Sequence, residues 1–193
     1  MANPNAPFGL RPVRHLFGGV IRPNEYTIAD QYNTSLYLGD PVTCTGTGKN
    51  IGIATAANSG KITGVFQGCE YLNALGDTIW SERWPASTVT DTRQTVKAFV
   101  LDDPFILFEI QFDTLAAADI RALTNLVSGN GNDKTNLSGW TAVAPAGGGA
   151  NQLKIYGLSG VTSQGGAINA YGAYAVGQVL LAQHEMAGNM AGL

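Results

Sequence analysis

The chain has 193 residues and a formal net charge of −3, and only 13% of its residues are charged, against about a quarter in typical globular chains. This length suits one domain with a full core. The mild acidity disfavours nucleic acid as the main partner, and the sparse surface charge favours assembly with other proteins over a solitary enzyme.

Residues 1–24 are rich in proline and glycine, which predicts an extended N-terminal arm that contains neither a helix nor a central strand. Arg11, Arg14 and Arg22 make this arm locally basic. A basic arm suits contact with an acidic neighbour, and a solvated flexible arm fits the pattern equally well. The segment has no continuous apolar stretch, so we expect no signal peptide and a protein made and kept in a cytoplasm.

Two Gly-Lys pairs, Gly48-Lys49 and Gly60-Lys61, raise the question of a phosphate-binding loop. Such a loop needs a glycine at a fixed distance before the pair and a Ser or Thr directly after it. Both pairs lack these residues, since Asn50 follows the first and Ile62 the second. The pairs instead predict turns, with IGIATA and KITGVF as neighbouring strands.

Residues 25–112 contain short runs of β-branched and aromatic residues separated by turn residues, which predicts an all-β body. In FILFEIQF, residues 105–112, apolar positions alternate with a face that contains Glu109 and Gln111. This alternation predicts a half-buried strand. The preceding TVKAFVLDDP predicts a partner strand, and its Asp-Asp-Pro turn predicts that the two strands form a hairpin.

Residues 113–193 are expected to complete or extend the body. LAAADIRALTNLV predicts one short helix, because its apolar residues fall on one stripe, Asp113 or Thr114 can cap its start and Gly129 can end it. Residues 128–151 predict a long exposed loop in which Trp140 is the exception. QLKIYGLSG and AYGAYAVGQVLLAQHEM predict strands, the second returning to the main sheet, and AGNMAGL predicts a flexible tail.

Candidate catalytic and metal-binding residues are few. The GLSGV stretch around Ser159 misses the nucleophile-elbow pattern at its last residue, and His184 is expected to face solvent from a strand. His184-Glu185 lacks the second histidine of a zinc-protease motif. Cys44 and Cys69 are expected to be small buried hydrophobes.

Two further patterns could bind a ligand. Asn130, Asn132 and Asp133 resemble one repeat of a calcium-binding β-roll, but such rolls need stacked repeats, so we expect no cofactor. Trp80 and Trp84 fit a sugar-stacking platform, although core or interface anchors are the commoner role of tryptophan.

Several stretches of residues 6–112 resemble the capsid decoration, or cement, proteins of tailed bacteriophages: APFGLRPVRHLFGG, YNTSLYLGDPV, GKITGVFQGCEY, WPAS and AFVLDDPFILFEIQ. The resemblance implies a β-barrel, β-tulip-like or sandwich body on the outer surface of the virion. It also implies a homo-oligomer, a dimer or trimer, that stabilises the shell by bridging major capsid protein subunits. It implies no catalytic residue, membrane contact or direct nucleic-acid contact.

Within this resemblance, the expected capsid-contacting residues lie in the arm: Phe8, Leu10, Arg11, Arg14, Leu16 and Arg22. Removal of residues 1–20 is expected to abolish capsid binding and leave the body folded. Three rival functions stay open: a minor tail or head-tail connector component, a carbohydrate-binding module that uses Trp80, Trp84 or Trp140, and a hydrolase built on His184.

Overall fold

The computed structural model describes residues 3–46, 48–56, 60–145, 151–160 and 168–189. In the described part of the chain, strands make up 45% and helical residues 2%, which confirms the mainly β prediction. The strands are β1 Arg11–His15, β2 Asn24–Ile28, β3 Pro41–Cys44, β4 Ile51–Ile53, β5 Gly64–Leu72, β6 Thr78–Ser81, β7 Val96–Leu101, β8 Ile106–Gln111, β9 Thr114–Leu115, β10 Leu123–Thr124, β11 Leu126–Val127, β12 Thr141–Ala142, β13 Leu153–Leu158, β14 Gly172–Ala173, β15 Val176–Leu181, β16 Gln183–His184 and β17 Gly188–Asn189. Within the described ranges no helix has the length and apolar character needed to cross a membrane.

The longer strands form two antiparallel sheets. Sheet I has the order β2-β7-β5-β3-β4, with β6 also paired to β5, and sheet II has the order β1-β8-β15-β13-β10. A bridge joins Thr27 of β2 to Asn50, which precedes β4. No continuous ladder closes the described strands into a barrel, so the barrel, tulip or sandwich detail of the prediction is not confirmed.

The buried apolar residues form two clusters, called below the core of sheet I and the core of sheet II, and the second also contains Val65 of β5 and Leu101 of β7. Phe66 and Trp84 are fully buried in the core of sheet I, whereas Phe108 and Trp140 are buried in the core of sheet II. Val65 and Phe66 are neighbours on β5 but belong to different cores, because successive side chains of a strand point to opposite faces. This part of β5 is therefore covered on both faces.

The N-terminal segment is extended but bonded to the body. β1 forms the edge of sheet II through antiparallel pairing with β8. Leu10 is fully buried in the core of sheet II, and its N–H donates to the carbonyl oxygen of Gly39 at 2.9 Å. Pro12 and the β-bulge that follows it fit an edge strand, because proline has no backbone N–H to donate to an adjacent strand. The extended N-terminal arm of the prediction is therefore not confirmed.

The predicted hairpin between residues 95–104 and 105–112 is wrong. β7 pairs with β2 and β5 in sheet I, whereas β8 pairs with β1 and β15 in sheet II. The Asp102-Asp103-Pro104 turn carries the chain from one sheet to the other. Asp102 accepts hydrogen bonds from the Tyr26 hydroxyl at 2.9 Å and from Asn24 Nδ2 at 2.7 Å, which ties the end of β7 to β2.

The half-buried character predicted for β8 is also wrong, because both of its faces are buried. Glu109 and Gln111 are the polar residues of the second face. Their partners come from distant parts of the chain: Arg11 pairs with Glu109, and Gln111 Nε2 donates to the carbonyl oxygen of Pro4. The alternating pattern thus identified the strand but not what covers it.

The predicted helix over residues 115–127 is wrong. Only a 3-10 turn, Ala117–Asp119, forms there, with Asp119 Oδ2 accepting the N–H of Ala116 at 2.7 Å. Arg121 has φ 74°, a conformation that stops a right-handed helix. β10 then pairs with β13 and β11 with β12, so tertiary pairing outweighs the local helical pattern.

Residues 128–151 are only partly the exposed loop of the prediction. Leu38 forms a parallel bridge with Leu137, and both Ser138 and Trp140 are buried. β12 then pairs with β11. This loop therefore contributes to the core of sheet II, while residues 146–150 lie outside the described residues.

The two strands predicted around the Gly-Lys pairs form, but they do not pair with each other. IGIATA and KITGVF are not neighbours, because β3 lies between β4 and β5. Gly48 occupies a turn at φ 85°, as predicted, whereas residues 57–59 of the second turn lie outside the described residues.

β13 and β15 confirm the two strands predicted near the end of the chain, and β15 lies between β8 and β13. In the predicted tail, Gly188–Asn189 pairs with β16, and residues 190–193 lie outside the described residues.

Candidate functional site

The connection from β1 to β2, residues 16–23, exposes apolar side chains and is called the 16–23 loop below. Phe17 is 75% exposed and Val20 is 73% exposed. The Phe17 ring packs edge-to-face against Phe105, with ring centres 5.1 Å apart. An apolar loop with two largely exposed side chains has the composition of an interface anchor.

His15 holds this loop in one conformation. Its Nδ1 accepts the N–H of Phe17 at 3.1 Å and the N–H of Gly19 at 3.0 Å, and its Nε2 lies 3.2 Å from Asp103 Oδ2. Because Nδ1 accepts, the ring hydrogen of the neutral imidazole lies on Nε2 and points to the carboxylate. A Cβ added at Gly19 would lie 2.9 Å from Nδ1, so glycine allows this close approach.

The residues predicted to contact a capsid divide into surface and core positions. Arg11, Arg14 and Arg22 are exposed, Phe8 and Leu16 are half-buried, and Leu10 is fully buried. Leu10 therefore supports the core instead of offering a contact. The sequence reasoning missed Phe17 and Val20, although the stretch LFGGV places both beside glycines, where little side-chain volume can cover them.

Arg11 also has a structural role. Its Nη2 forms an ion pair with Glu109 Oε2 at 2.7 Å, and its guanidinium lies 4.7 Å from the centre of the Phe8 ring. The Arg11 side chain is 53% exposed, whereas that of Glu109 is 5% exposed. Ser159 donates a second hydrogen bond to the Glu109 carboxylate. Arg11 thus compensates a buried charge, while Arg14 stacks near Tyr156 at 5.7 Å.

The structure rejects the solvent-facing position predicted for His184. His184 is fully buried, since β16 bridges to Ile62 and pairs with β17. Its Nδ1 accepts the N–H of Met186 at 3.1 Å. Burial lowers the pKa of His184, and the nearby carboxylate of Asp102 opposes this shift. His184 therefore stabilises the turn after β16 from within the core.

A groove of about 490 Å³ lies beneath the N-terminal segment. Its described lining includes Phe8, Arg11, Gln111, Asn169 and Tyr174, with further backbone, amide and hydroxyl groups. Among these described lining residues there is no carboxylate, imidazole, ammonium or thiol. The groove therefore offers mainly hydrogen-bonding groups, and the Tyr174 hydroxyl and the Arg11 guanidinium are the ionisable groups of that set.

In the loop that resembles a calcium-binding β-roll repeat, side-chain oxygen atoms bond to other groups of the protein. Asp133 Oδ1 accepts the Tyr37 hydroxyl at 2.6 Å and forms an ion pair with Arg83 at 2.5 Å. Asn132 Oδ1 accepts the N–H of Lys134 at 2.9 Å. In the described ranges, no cluster of at least three His, Cys, Asp or Glu side chains is arranged to hold a metal ion.

The cysteines and tryptophans differ in exposure. Cys44 and Cys69 are free; Cys69 is buried, as predicted, and its burial raises the pKa of the thiol to about 12, whereas Cys44 is only half-buried. Trp84 and Trp140 are buried in the two cores, which removes them from any sugar platform. Trp80 alone of the three tryptophans is largely exposed.

Comparison with protein-family models, with curated proteins and with solved structures finds no significant match. The function is therefore inferred from the resemblance in the sequence and from the geometry of these surfaces.

Proposed function

We propose that this chain is a structural virion protein that binds the outer surface of a tailed-phage capsid and stabilises it by bridging major capsid protein subunits. The observation that carries the proposal is the 16–23 loop, which offers Phe17 and Val20 to a partner between the exposed Arg14 and Arg22. Exposed aromatic and arginine side chains are the residue types that dominate protein interfaces. The stretches of residues 6–112 that resemble capsid decoration proteins suggest that this partner is the major capsid protein.

Bridging would stabilise a shell in a simple way. Packaged DNA pushes the shell subunits apart, and a protein bound to two subunits adds its binding free energy to the cost of separating them. A specific complex typically buries about 1,600 Å². In a homo-oligomer, binding of one protomer to the shell holds the next protomer close to its own site. The second binding event then occurs at a high effective concentration.

A preformed loop suits this role. The hydrogen bonds from the Phe17 and Gly19 N–H groups to His15 fix the loop before a partner arrives. Less conformational entropy is then lost on binding, which raises affinity without any added contact area. The low overall charge agrees with a protein whose apolar surface is covered in an assembly.

The structure changes how the proposal is tested. Removal of residues 1–20 would delete β1 and the buried Leu10 together with residues 16–20 of the loop. Such a truncation would unfold part of sheet II, so a loss of capsid binding would say nothing about contact. Substitutions at the exposed loop residues separate the two effects.

The first experiment is quantitative mass spectrometry of purified particles of the source phage. A copy number equal to that of the major capsid protein, or a simple fraction of it, is expected of a decoration protein. A handful of copies per particle would contradict the proposal and favour a tail or head-tail connector component. Absence from the particles would overturn the virion role altogether.

A further inference from the structure

A second exposed surface lies on the outer face of sheet I, around Trp80. The Trp80 side chain is 68% exposed, and its ring is parallel to that of Phe99, with an angle of 3° and 5.7 Å between ring centres. One face of the indole thus rests against Phe99. The stacking fixes the ring and leaves the rest of the indole to solvent.

Gly68 lies on the strand between the two stacked rings. It lies on β5 directly opposite Phe99, between the strands that carry the two rings. Gly68 has φ 139°, and a Cβ added there would lie 2.9 Å from the carbonyl oxygen of Ser81. Because position 68 has no side chain, the backbone at Ser81, one residue after Trp80, can approach β5 closely.

Polar side chains continue the surface across the sheet. Trp80 of β6 is directly opposite Glu70 of β5, and Glu70 is directly opposite Lys97 of β7. Adjacent strands are about 4.8 Å apart, so these three side chains follow one another at that spacing. Lys97 Nζ lies 3.7 Å from Glu70 Oε2, and Gln94 Nε2 donates to Glu70 Oε1 at 3.4 Å. The carboxylate is therefore oriented next to the aromatic ring.

We propose that this surface, the Trp80 platform of Trp80, Phe99, Glu70 and Lys97, binds the pyranose rings of a glycan. A pyranose has an apolar face of C–H groups, which packs on an indole, and an edge of hydroxyl groups. The Glu70 carboxylate accepts hydrogen bonds from hydroxyls and the Lys97 ammonium donates to them. The Lys97 side chain is 35% exposed and that of Glu70 is 14% exposed, so Lys97 is the more accessible of the two polar partners.

The polar neighbours distinguish a sugar from a protein partner. The core of a protein interface is depleted in charged residues, whereas Glu70 and Lys97 directly continue the Trp80 surface. The 16–23 loop has the opposite composition, with apolar side chains at its centre. The glycan proposal does not depend on capsid binding, and either one can fail alone.

Tryptophan fluorescence of the full chain tests the proposal. Because Trp84 and Trp140 are buried, a change on titration reports on Trp80. The probes are soluble oligosaccharides of glucose, N-acetylglucosamine, galactose and rhamnose. We expect saturable binding of at least one probe, a loss of about tenfold or more in affinity for Trp80→Ala, and partial retention for Trp80→Phe.

Two further variants separate the platform from general effects. Glu70→Gln is expected to weaken binding several-fold, since it removes the charged acceptor. Leu75→Ala alters another largely exposed side chain, next to β6, and is expected to change nothing. Absence of saturable binding by every probe, or equal binding by Trp80→Ala, would overturn the proposal. Loss of capsid binding by Trp80→Ala without any sugar response would assign the platform to a protein contact instead.

Discussion

The 16–23 loop and the Trp80 platform both expose an aromatic ring, but they are built differently. Phe17 sits on a loop that connects the two sheets, held by backbone hydrogen bonds to one histidine. Trp80 sits on a strand and rests on the ring of another strand of the same sheet. The loop is flanked by exposed arginines, whereas the platform continues into an oriented carboxylate and an ammonium.

This difference shows that exposure of an aromatic side chain does not by itself identify a ligand. The neighbours decide: apolar residues with arginines favour a protein surface, and hydrogen-bonding groups at strand spacing favour a sugar. The two sites are also held in place by different strands and contacts. The platform needs only β5, β6 and β7, whereas the loop needs β1 and the contact of Leu10 with the turn at Gly39.

The largest expected effect is a pH dependence of the free energy of unfolding, caused by Asp40 in the turn at Gly39. Asp40 is buried beside Gly39, its Oδ2 accepts the N–H of Tyr37 at 2.8 Å, and burial raises the pKa of its carboxyl to about 6. The folded state therefore binds the proton more tightly than the unfolded chain. The resulting stability is complete below pH 4 and is lost as the pH rises through about 6, a difference on the order of 3 kcal/mol.

Asp40→Asn removes this titration. Urea unfolding between pH 4 and pH 7 should show a stability difference in the native chain that is much smaller in the variant, with the variant more stable at pH 7. Glu82→Gln, at an exposed position, serves as the control for the loss of one negative charge. If Asp40→Asn keeps the pH dependence of the native chain, protonation of Asp40 does not contribute to the stability of this turn.

The next effect separates the structural arginine from the surface arginines. Arg11→Ala leaves the buried Glu109 with Ser159 as a remaining donor, so the free energy of unfolding should fall by about 2 kcal/mol, moderated by water at the exposed guanidinium. Arg22→Ala, at an exposed position, should change it by less than about 0.5 kcal/mol. Denaturant unfolding measures both. Equal stability of the two variants would refute the structural role of Arg11.

A smaller effect concerns the order of the loop. His15→Ala removes the acceptor of the Phe17 and Gly19 N–H groups and should cost about 1 kcal/mol. Hydrogen exchange of these two amides should accelerate, while amides of β5 to β7 keep their protection. Unchanged exchange at Phe17 and Gly19 would show that His15 does not hold the loop. Leu75→Ala is the matched control at an exposed site remote in sequence.

The sequence predicted the elements that local pattern determines. Alternation identified β8, the stretches that contain β13 and β15 were also predicted as strands, and the Asp102-Asp103-Pro104 turn was placed correctly. The pairing of those strands was not predictable in the same way, because it depends on contacts between residues far apart in the chain. Asp102 binds Tyr26 and Asn24, and these bonds favour β2 over β8 as a neighbour of β7.

The candidate sites show the same limit. The predicted helix failed because β10 and β11 found partners in β13 and β12, which no local window contains. His184 was expected to face solvent from a strand, but the strand that contains it bridges to Ile62 and the side chain is buried. The arginines of the N-terminal segment were found by their charge, whereas Phe17 and Val20 became candidates only through their exposure.

The most direct test of the central claim is binding to capsids that lack this protein, measured by sedimentation. The wild-type chain should decorate them, and Phe17→Ser with Val20→Ser should raise the half-saturating concentration about 100-fold, with an unchanged circular dichroism spectrum. Trp80→Ala should bind within about twofold of wild type, because the platform lies outside the proposed contact. Wild-type-like decoration by the folded double variant would contradict the account.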